Sequence, residues 1–350
     1  MKFTNNIIVA KKGGFLIRNF KRILLYLILL FFIFISTSTS TLAKGKEIYV
    51  IPGGDSIGLQ ISTGVYITGK YDVKTTNGEV SPWKKSDIQV GDKILEINSN
   101  IINKIEDVQT LLSNITNNQD LLLKIRRANS HVITTCEVVK SINGKMSLGL
   151  YVKDEVLGVG TITFIDPNNN NFGALGHSII NEEMSKPNLG FISNSSVNGI
   201  RKSQPGVPGE KQATLNRVAV GTINKNTSIG VFGKINKLEN FETKKVIRIA
   251  APSEVSLGKA EIWTVLNGEQ KEKYEVKIIE VKNQTTRGIK GIKIQITDQR
   301  LLNRTGGIIQ GMSGSPIIQN DLLVGAVSHV VVDAPDYGYG VYALWMFNTF

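Results

Sequence analysis

The chain has 350 residues, a net charge of +12, 41% hydrophobic residues, 34 glycines, one cysteine and three histidines. That length allows two folded domains plus a tail, at roughly 150 residues each. A single cysteine excludes an intramolecular disulfide, scattered histidines without a cysteine cluster exclude a structural zinc site, and no cofactor is expected. Lys2, Lys11, Lys12, Arg18, Lys21 and Arg22, with no acid among residues 1–43, supply half of the net charge. The remaining excess is ordinary for a solvated surface. No basic stripe interleaved with aromatics is present, which argues against a nucleic-acid partner. The basic head precedes an unbroken apolar run at 23–35 (ILLYLILLFFIFI), a Ser/Thr stretch and Thr41-Leu42-Ala43. Charged, apolar and small residues in that order are the layout of a signal peptide. If the Ser/Thr stretch extends the run to the ~20 residues of a span, the segment is instead a membrane anchor. Either way the positive flank stays in the cytoplasm and the rest is exported. Residues 1–45 are therefore read as a cytoplasmic head with a signal peptide or anchor.

The exported part is rich in Val, Ile, Thr and Gly, which predicts a mainly β protein. Residues 46–140 form the first unit. Ile51-Pro52-Gly53-Gly54-Asp55 leads into Ser56-Ile57-Gly58-Leu59, then a glycine-punctuated strand region, then SDIQVGDKILEIN at 86–98. Ile105, Val108, Leu111, Leu112 and Ile115 share one face at helical spacing, and the alternating run at 121–127 closes as a strand. The unit resembles a PDZ domain (α+β). On that resemblance, Ser56, Ile57, Gly58 and Leu59 are the loop that grips the carboxylate of a bound peptide. His131 is read as a surface strand residue and Cys136, within HVITTCEVV, as a small core residue.

After a connector at 141–145, the second domain (145–350) shows short apolar runs separated by Gly, Asn, Pro and Asp, among them VGTITF, SIGVFGKI, GIKIQIT and VGAVSHVVV. Strand-sized pieces bounded by turns predict an antiparallel barrel or sandwich with no long helix. Between two such pieces lies Gly311-Met312-Ser313-Gly314-Ser315-Pro316. It is a near copy of the G-D-S-G-G-P turn that presents the nucleophile in chymotrypsin-like serine peptidases. Glycines on both sides permit tight backbone conformations close to a bound peptide. By analogy the N–H groups of Gly311 and Ser313 form the oxyanion hole around the nucleophile Ser313. Pro316 and the β-branched Ile317-Ile318 follow, which excludes the strand–serine–helix elbow of α/β-hydrolases. The general base is His177, on the glycine-flanked turn GALGHS and N-terminal to the serine; His329 is read as a pocket or core residue. Asp298 is the first candidate to orient the imidazole, with Asp166, Asp321, Asp333 and Asp336 as alternatives. The loop at 204–211 (QPGVPGEK) either borders the cleft or is a surface turn, and the turn is the favoured reading.

The runs at 148–179 and 296–316, with Gly325-Ala326-Val327-Ser328-His329, resemble the SpoIVB-type (stage IV sporulation protein B) serine peptidases of endospore-forming bacteria. The order of parts also agrees: signal or anchor, PDZ domain, peptidase domain. The resemblance implies a chymotrypsin-like double β-barrel and a His177, Asp298 and Ser313 triad. It also implies secretion into the space between the two forespore membranes. There such enzymes cleave themselves and a membrane-bound regulator of a sigma-factor-processing protease, with the PDZ domain engaged in recognition. Met312 stands where chymotrypsin-like enzymes carry the acid that pairs with a new N-terminus, so activation by that ion pair is not expected. The competing readings are a general envelope quality-control protease and a non-catalytic exported PDZ scaffold. The first ordinarily carries its protease before its PDZ domain; the second does not account for an intact Ser, His and Asp set.

Overall fold

A computed structural model describes residues 47–128, 130–180, 183–241 and 245–350. The expected signal peptide or anchor lies outside these residues. Among the described residues no helix is long and apolar enough to cross a membrane. In chain order the strands are β1 (Tyr49–Pro52), β2 (Ser56–Lys70), β3 (Val73–Thr75), β4 (Gly78–Val80), β5 (Lys93–Ile97) and β6 (Asn100–Ile101). After helix α1 (Ile105–Ser113) come β7 (Gln119–Arg127), β8 (Ser130–Lys140), β9 (Met146–Ser147), β10 (Leu150–Ile165) and β11 (Asn171–Ala174). Then follow β12 (Met184–Arg201), β13 (Glu210–Thr227), β14 (Gly230–Ile235), β15 (Ile247–Ile249), β16 (Gly258–Asn267), β17 (Gln270–Val281) and β18 (Ile292–Ile296). Helix α2 (Gln299–Thr305), β19 (Pro316–Gln319), β20 (Leu322–Val330), β21 (Tyr337–Tyr342) and helix α3 (Ala343–Phe347) complete the chain.

The strand pairings close two rings. In the first, β2, β10, β11, β14, β13 and β12 pair in that order, and β12 returns to β2. In the second, β16, β17, β18, β21, β20 and β19 pair in order, and β19 returns to β16. All twelve pairings are antiparallel. The chain is thus mainly β, consistent with the chymotrypsin-like double barrel expected from the sequence. Closure leaves no free sheet edge within either ring. Ile57, Leu59, Ile61, Ile162, Phe172 and Ile192 fill the first barrel. Ile262, Val276, Ile294, Leu301, Ile317 and Val327 fill the second. Strand β1 joins them: Tyr49 and Val50 pair with β15, while Ile51 and Pro52 pair with β10. A third cluster, with Val50, Phe164, Phe232, Trp263, Leu323 and Met346, is buried between the barrels.

The predicted first unit differs from the observed one at its start. Ser56–Leu59 is not a loop. It opens β2 and is paired on one side with β10 and on the other with β12. Ile57 and Leu59 are fully buried in the first barrel. The residues assigned to a carboxylate-gripping loop are therefore barrel strand, with their backbone groups held in the ladders. The apolar alternation of SIGLQI suits a half-buried strand as well as a loop-strand step, so sequence pattern alone does not separate the two. The α+β lobe begins later, beyond Gly64, whose φ of +76° lies in the left-handed region. Facing it, β10 shifts register between Lys153 and Glu155. Val65, Ile67, Ile94, Leu121, Leu123 and Cys136 form the lobe's core, and α1 packs Val108, Ile105, Leu111 and Leu112 against it. The helix face and the closing strand read from the sequence are both present. His131 is exposed on β8, and burial pushes the Cys136 thiol up to about 12.

Because Leu59 belongs to the barrel, Leu59→Ala is expected to destabilise the protein by about 2–5 kcal/mol, the usual cost of a cavity in a packed core. Urea unfolding followed by tryptophan fluorescence measures it. A residue on a peptide-binding loop would leave the midpoint unchanged.

Candidate active site

Two turns, one from each barrel, meet between them. The first follows β11. Leu175 and Gly176 both take left-handed conformations, with φ of +70° and +68°. That conformation costs a non-glycine residue on the order of 1 kcal/mol and marks a constrained bend. His177 is the next residue. Its Nδ1 lies 2.8 Å from the Ser178 carbonyl. A carbonyl only accepts, so the proton sits on Nδ1 and the Nε2 lone pair is left to act as a base. Burial holds the His177 imidazole below its ordinary value of 6.5, an effect the Ser178 bond partly opposes.

The second turn carries Ser313 and follows α2. Met312, in place of the acid of related turns, is fully buried in the core of the second barrel and anchors the turn from below. Gly311 and Gly314 have φ of +91° and +92°. The Ser313 hydroxyl donates to the Ser328 carbonyl at 3.4 Å, a long and weak bond. Among the described residues, neither the Gly311 N–H nor the Ser313 N–H donates a hydrogen bond within the protein. Unpaired backbone donors are rare except where a ligand or water meets them. They belong to the two residues expected to form an oxyanion hole.

His177 and Ser313 open onto one cleft of about 600 Å³, together with Gly311, Glu210, Lys211 and His329. Apolar side chains of Leu59, Leu175, Ile179, Ile308, Ile309 and Val330 line the remainder. His329 is thus in the site and not only in the core. Its ring centroid is 5.5 Å from that of His177, and its buried Nδ1 has no partner among the described residues. Burial, and secondarily the charge of His177, hold it below its ordinary value. The loop at 204–211 is an exposed turn over residues 204–207, as read, but its later residues Pro208, Glu210 and Lys211 line the cleft, and Lys211 is 5% exposed. No motif marks that lysine in the sequence; its position on the barrel wall comes from the strand register.

Asp298 is elsewhere. It is the N-cap of α2, and its carboxylate accepts from Arg300 N at 2.9 Å and Glu275 N at 3.3 Å. The Arg300 guanidinium binds it at 2.7 and 3.1 Å. That guanidinium, first of all, holds the Asp298 carboxyl below its usual range. None of these partners is His177, whose Nδ1 is taken by Ser178. Three of the four alternative acids are also engaged away from it: Asp166 with Asn168, Asp321 with Lys245 and Asp336 with Gln295.

The profile of the SpoIVB peptidase S55 family matches residues 144–347, more than half of the chain and both turns. The chain belongs to the SpoIVB peptidase S55 family. It is accordingly a serine peptidase, a hydrolase of peptide bonds. No curated protein matches the chain. The family match contains His177, Asp298 and Ser313, whereas most of the α+β lobe precedes it.

Two outcomes follow. Asp298→Ala is expected to cost about 1 kcal/mol in stability through loss of the helix cap, and Asp298→Asn less, because Asn also caps. Chemical denaturation checks both. Burial holds His177 and His329 below 6.5, so the unfolded chain binds more protons than the folded one as pH falls from 6.5 towards the folded values. Their contribution to stability is therefore whole above pH 6.5 and is lost as pH falls below it. Thermal midpoints at pH 7.5 and 5.0 are expected to lie closer together in His177→Gln than in the wild type.

Proposed function

We propose that the chain is an exported serine endopeptidase that works through an acyl-enzyme on Ser313. The observation that carries this reading is the pair of unbonded N–H groups, on Gly311 and Ser313, beside a serine hydroxyl in a cleft shared with His177. Ser313 Oγ attacks the scissile carbonyl as His177 Nε2 takes its proton. The carbonyl oxygen gains charge and is met by the two N–H groups, which need no reorientation as charge develops. His177 then returns the proton to the leaving amine, and water repeats the sequence to release the acyl group. The Ser178 carbonyl keeps the proton on Nδ1, the role that an aspartate takes in the Ser-His-Asp arrangement. We assign Asp298 to the cap of α2.

Family membership supports a place in sporulation signalling. In this reading the enzyme acts between the two forespore membranes and is tethered or released there through its N-terminal segment. It cleaves itself and a membrane-embedded regulator of a sigma-factor-processing protease. Recognition of these chains falls to the α+β lobe, whose SDIQVGDKILEIN pattern is PDZ-like. A groove of about 790 Å³ lined by Tyr66, Arg126, Lys153, Val156, Ile179 and Ile180 runs from the lobe to the segment after His177. The apolar cleft walls favour an apolar substrate side chain beside the scissile bond.

Ser313→Ala is expected to abolish self-cleavage, read by gel analysis and mass spectrometry of the full chain; cleavage at the wild-type rate would remove the nucleophile from Ser313. Asp298→Asn separates the two orienting groups. With Ser178 holding the imidazole it keeps kcat within about tenfold of wild type, whereas a triad aspartate would lose about 10⁴.

A further inference from the structure

Lys211 is a cleft residue that the mechanism leaves unused. Lys211 lies at the start of β13 and is 5% exposed, an uncommon place for a lysine. Its Nζ lies 2.9 Å from Thr264 Oγ1 and 3.4 Å from Thr161 Oγ1. Among the described residues it makes no ion pair, and burial alone pushes its ammonium down to about 7. Its stem runs beneath Gly311: a Cβ on that glycine would fall 2.9 Å from Lys211 Cδ.

Two links lead from Lys211 to the oxyanion loop. Its backbone N–H donates to the Gln310 carbonyl at 3.0 Å. No peptide is cis among the described residues, so the Gly311 N–H must point opposite to that carbonyl, away from the β13 backbone. The second link passes through Thr161, whose hydroxyl donates to the Gly311 carbonyl at 2.8 Å. A threonine has one hydroxyl proton, so the bond between Thr161 and Lys211 must be donated by Nζ. The peptide planes on both sides of Gly311 are thereby tied to one residue.

We infer that Lys211 is a positioning residue for the oxyanion hole, fixing through its own N–H and through Thr161 the direction in which the Gly311 N–H is presented. The inference rests on the Ser313 acyl-enzyme reading. A structural role is a poorer account, because a buried amine without a counter-ion destabilises a fold.

The test uses the full chain and a fluorophosphonate probe, which phosphonylates an activated serine with loss of fluoride and places its phosphoryl oxygen where the oxyanion forms. Lys211→Met keeps the stem and removes the amine; Thr161→Val keeps the lysine and removes the bond to Gly311. Both are expected to lower the limiting labelling rate about tenfold to a hundredfold, a fraction of what loss of an oxyanion donor costs. The half-saturating probe concentration should stay within about twofold, and the thermal midpoint of Lys211→Met at or above that of the wild type. Wild-type labelling rates in either folded variant would overturn the inference, as would a Lys211→Met effect confined to a lowered midpoint. Ser313→Ala supplies the separate control: labelling that survives it removes the acyl-enzyme reading itself, while its loss beside normal labelling of Lys211→Met and Thr161→Val removes only the role of Lys211.

Discussion

The distance of closest approach between two turns from different barrels governs the rest of this molecule. A Cβ on Gly314 would lie 2.0 Å from the Thr161 carbonyl oxygen and 2.5 Å from the Leu175 nitrogen, so only a hydrogen fits there. The contact is backbone against backbone. Thr161 N–H donates to the Ser313 carbonyl at 3.0 Å and the Thr163 hydroxyl to the Gly314 carbonyl at 2.8 Å, while Gly314 N–H donates to Val327 of its own barrel at 2.7 Å. The serine turn of the second barrel is thus bonded to a wall strand of the first. The same wall strand runs beside Leu175, two residues before His177. Ser313 and His177 are thus held chiefly through strand backbone.

The barrels themselves are held in register by shared elements. Strand β1 pairs with β10 of the first and with β15, which in turn pairs with β20 of the second, and Phe164, Phe232 and Trp263 are buried between them. The rings of Phe347 and Phe350, at the C-terminal end, lie 5.9 and 6.3 Å from that of Phe164 and close this interface. Strands β2 and β10 continue without interruption from the first barrel into the α+β lobe. A register shift in β10 and a left-handed glycine in β2 bend the pair as they leave. The lobe is accordingly carried on two strands that also form the wall beside the site: Val159 and Gly158 of β10 face the cleft.

Much of the site was legible in the chain because its chemistry depends on local backbone. A serine between glycines and a histidine after a glycine are demands of tight turns, and tight turns are written in consecutive residues. The mainly β character, the face of α1 and the burial of Cys136 were legible for the same reason, since a strand or helix face repeats at short spacing. Asp298 shows where that reasoning ends. An aspartate before QRLL reads equally as a helix cap or a triad acid, and the Arg300 side chain two residues on takes its carboxylate.

The amino-acid sequence by itself determined the two turns, the serine and imidazole they expose and the β-rich character of the chain, all of which follow from residues adjacent or periodic along it. Only the tertiary structure decided that Ser56–Leu59 is barrel wall, that His329 joins His177, that Asp298 serves a helix and that Lys211 lies beneath Gly311. Those four assignments depend on which distant strands pair, and in what register. Pairing is settled by closure of the barrels around their cores, a property of the whole chain that no short segment contains.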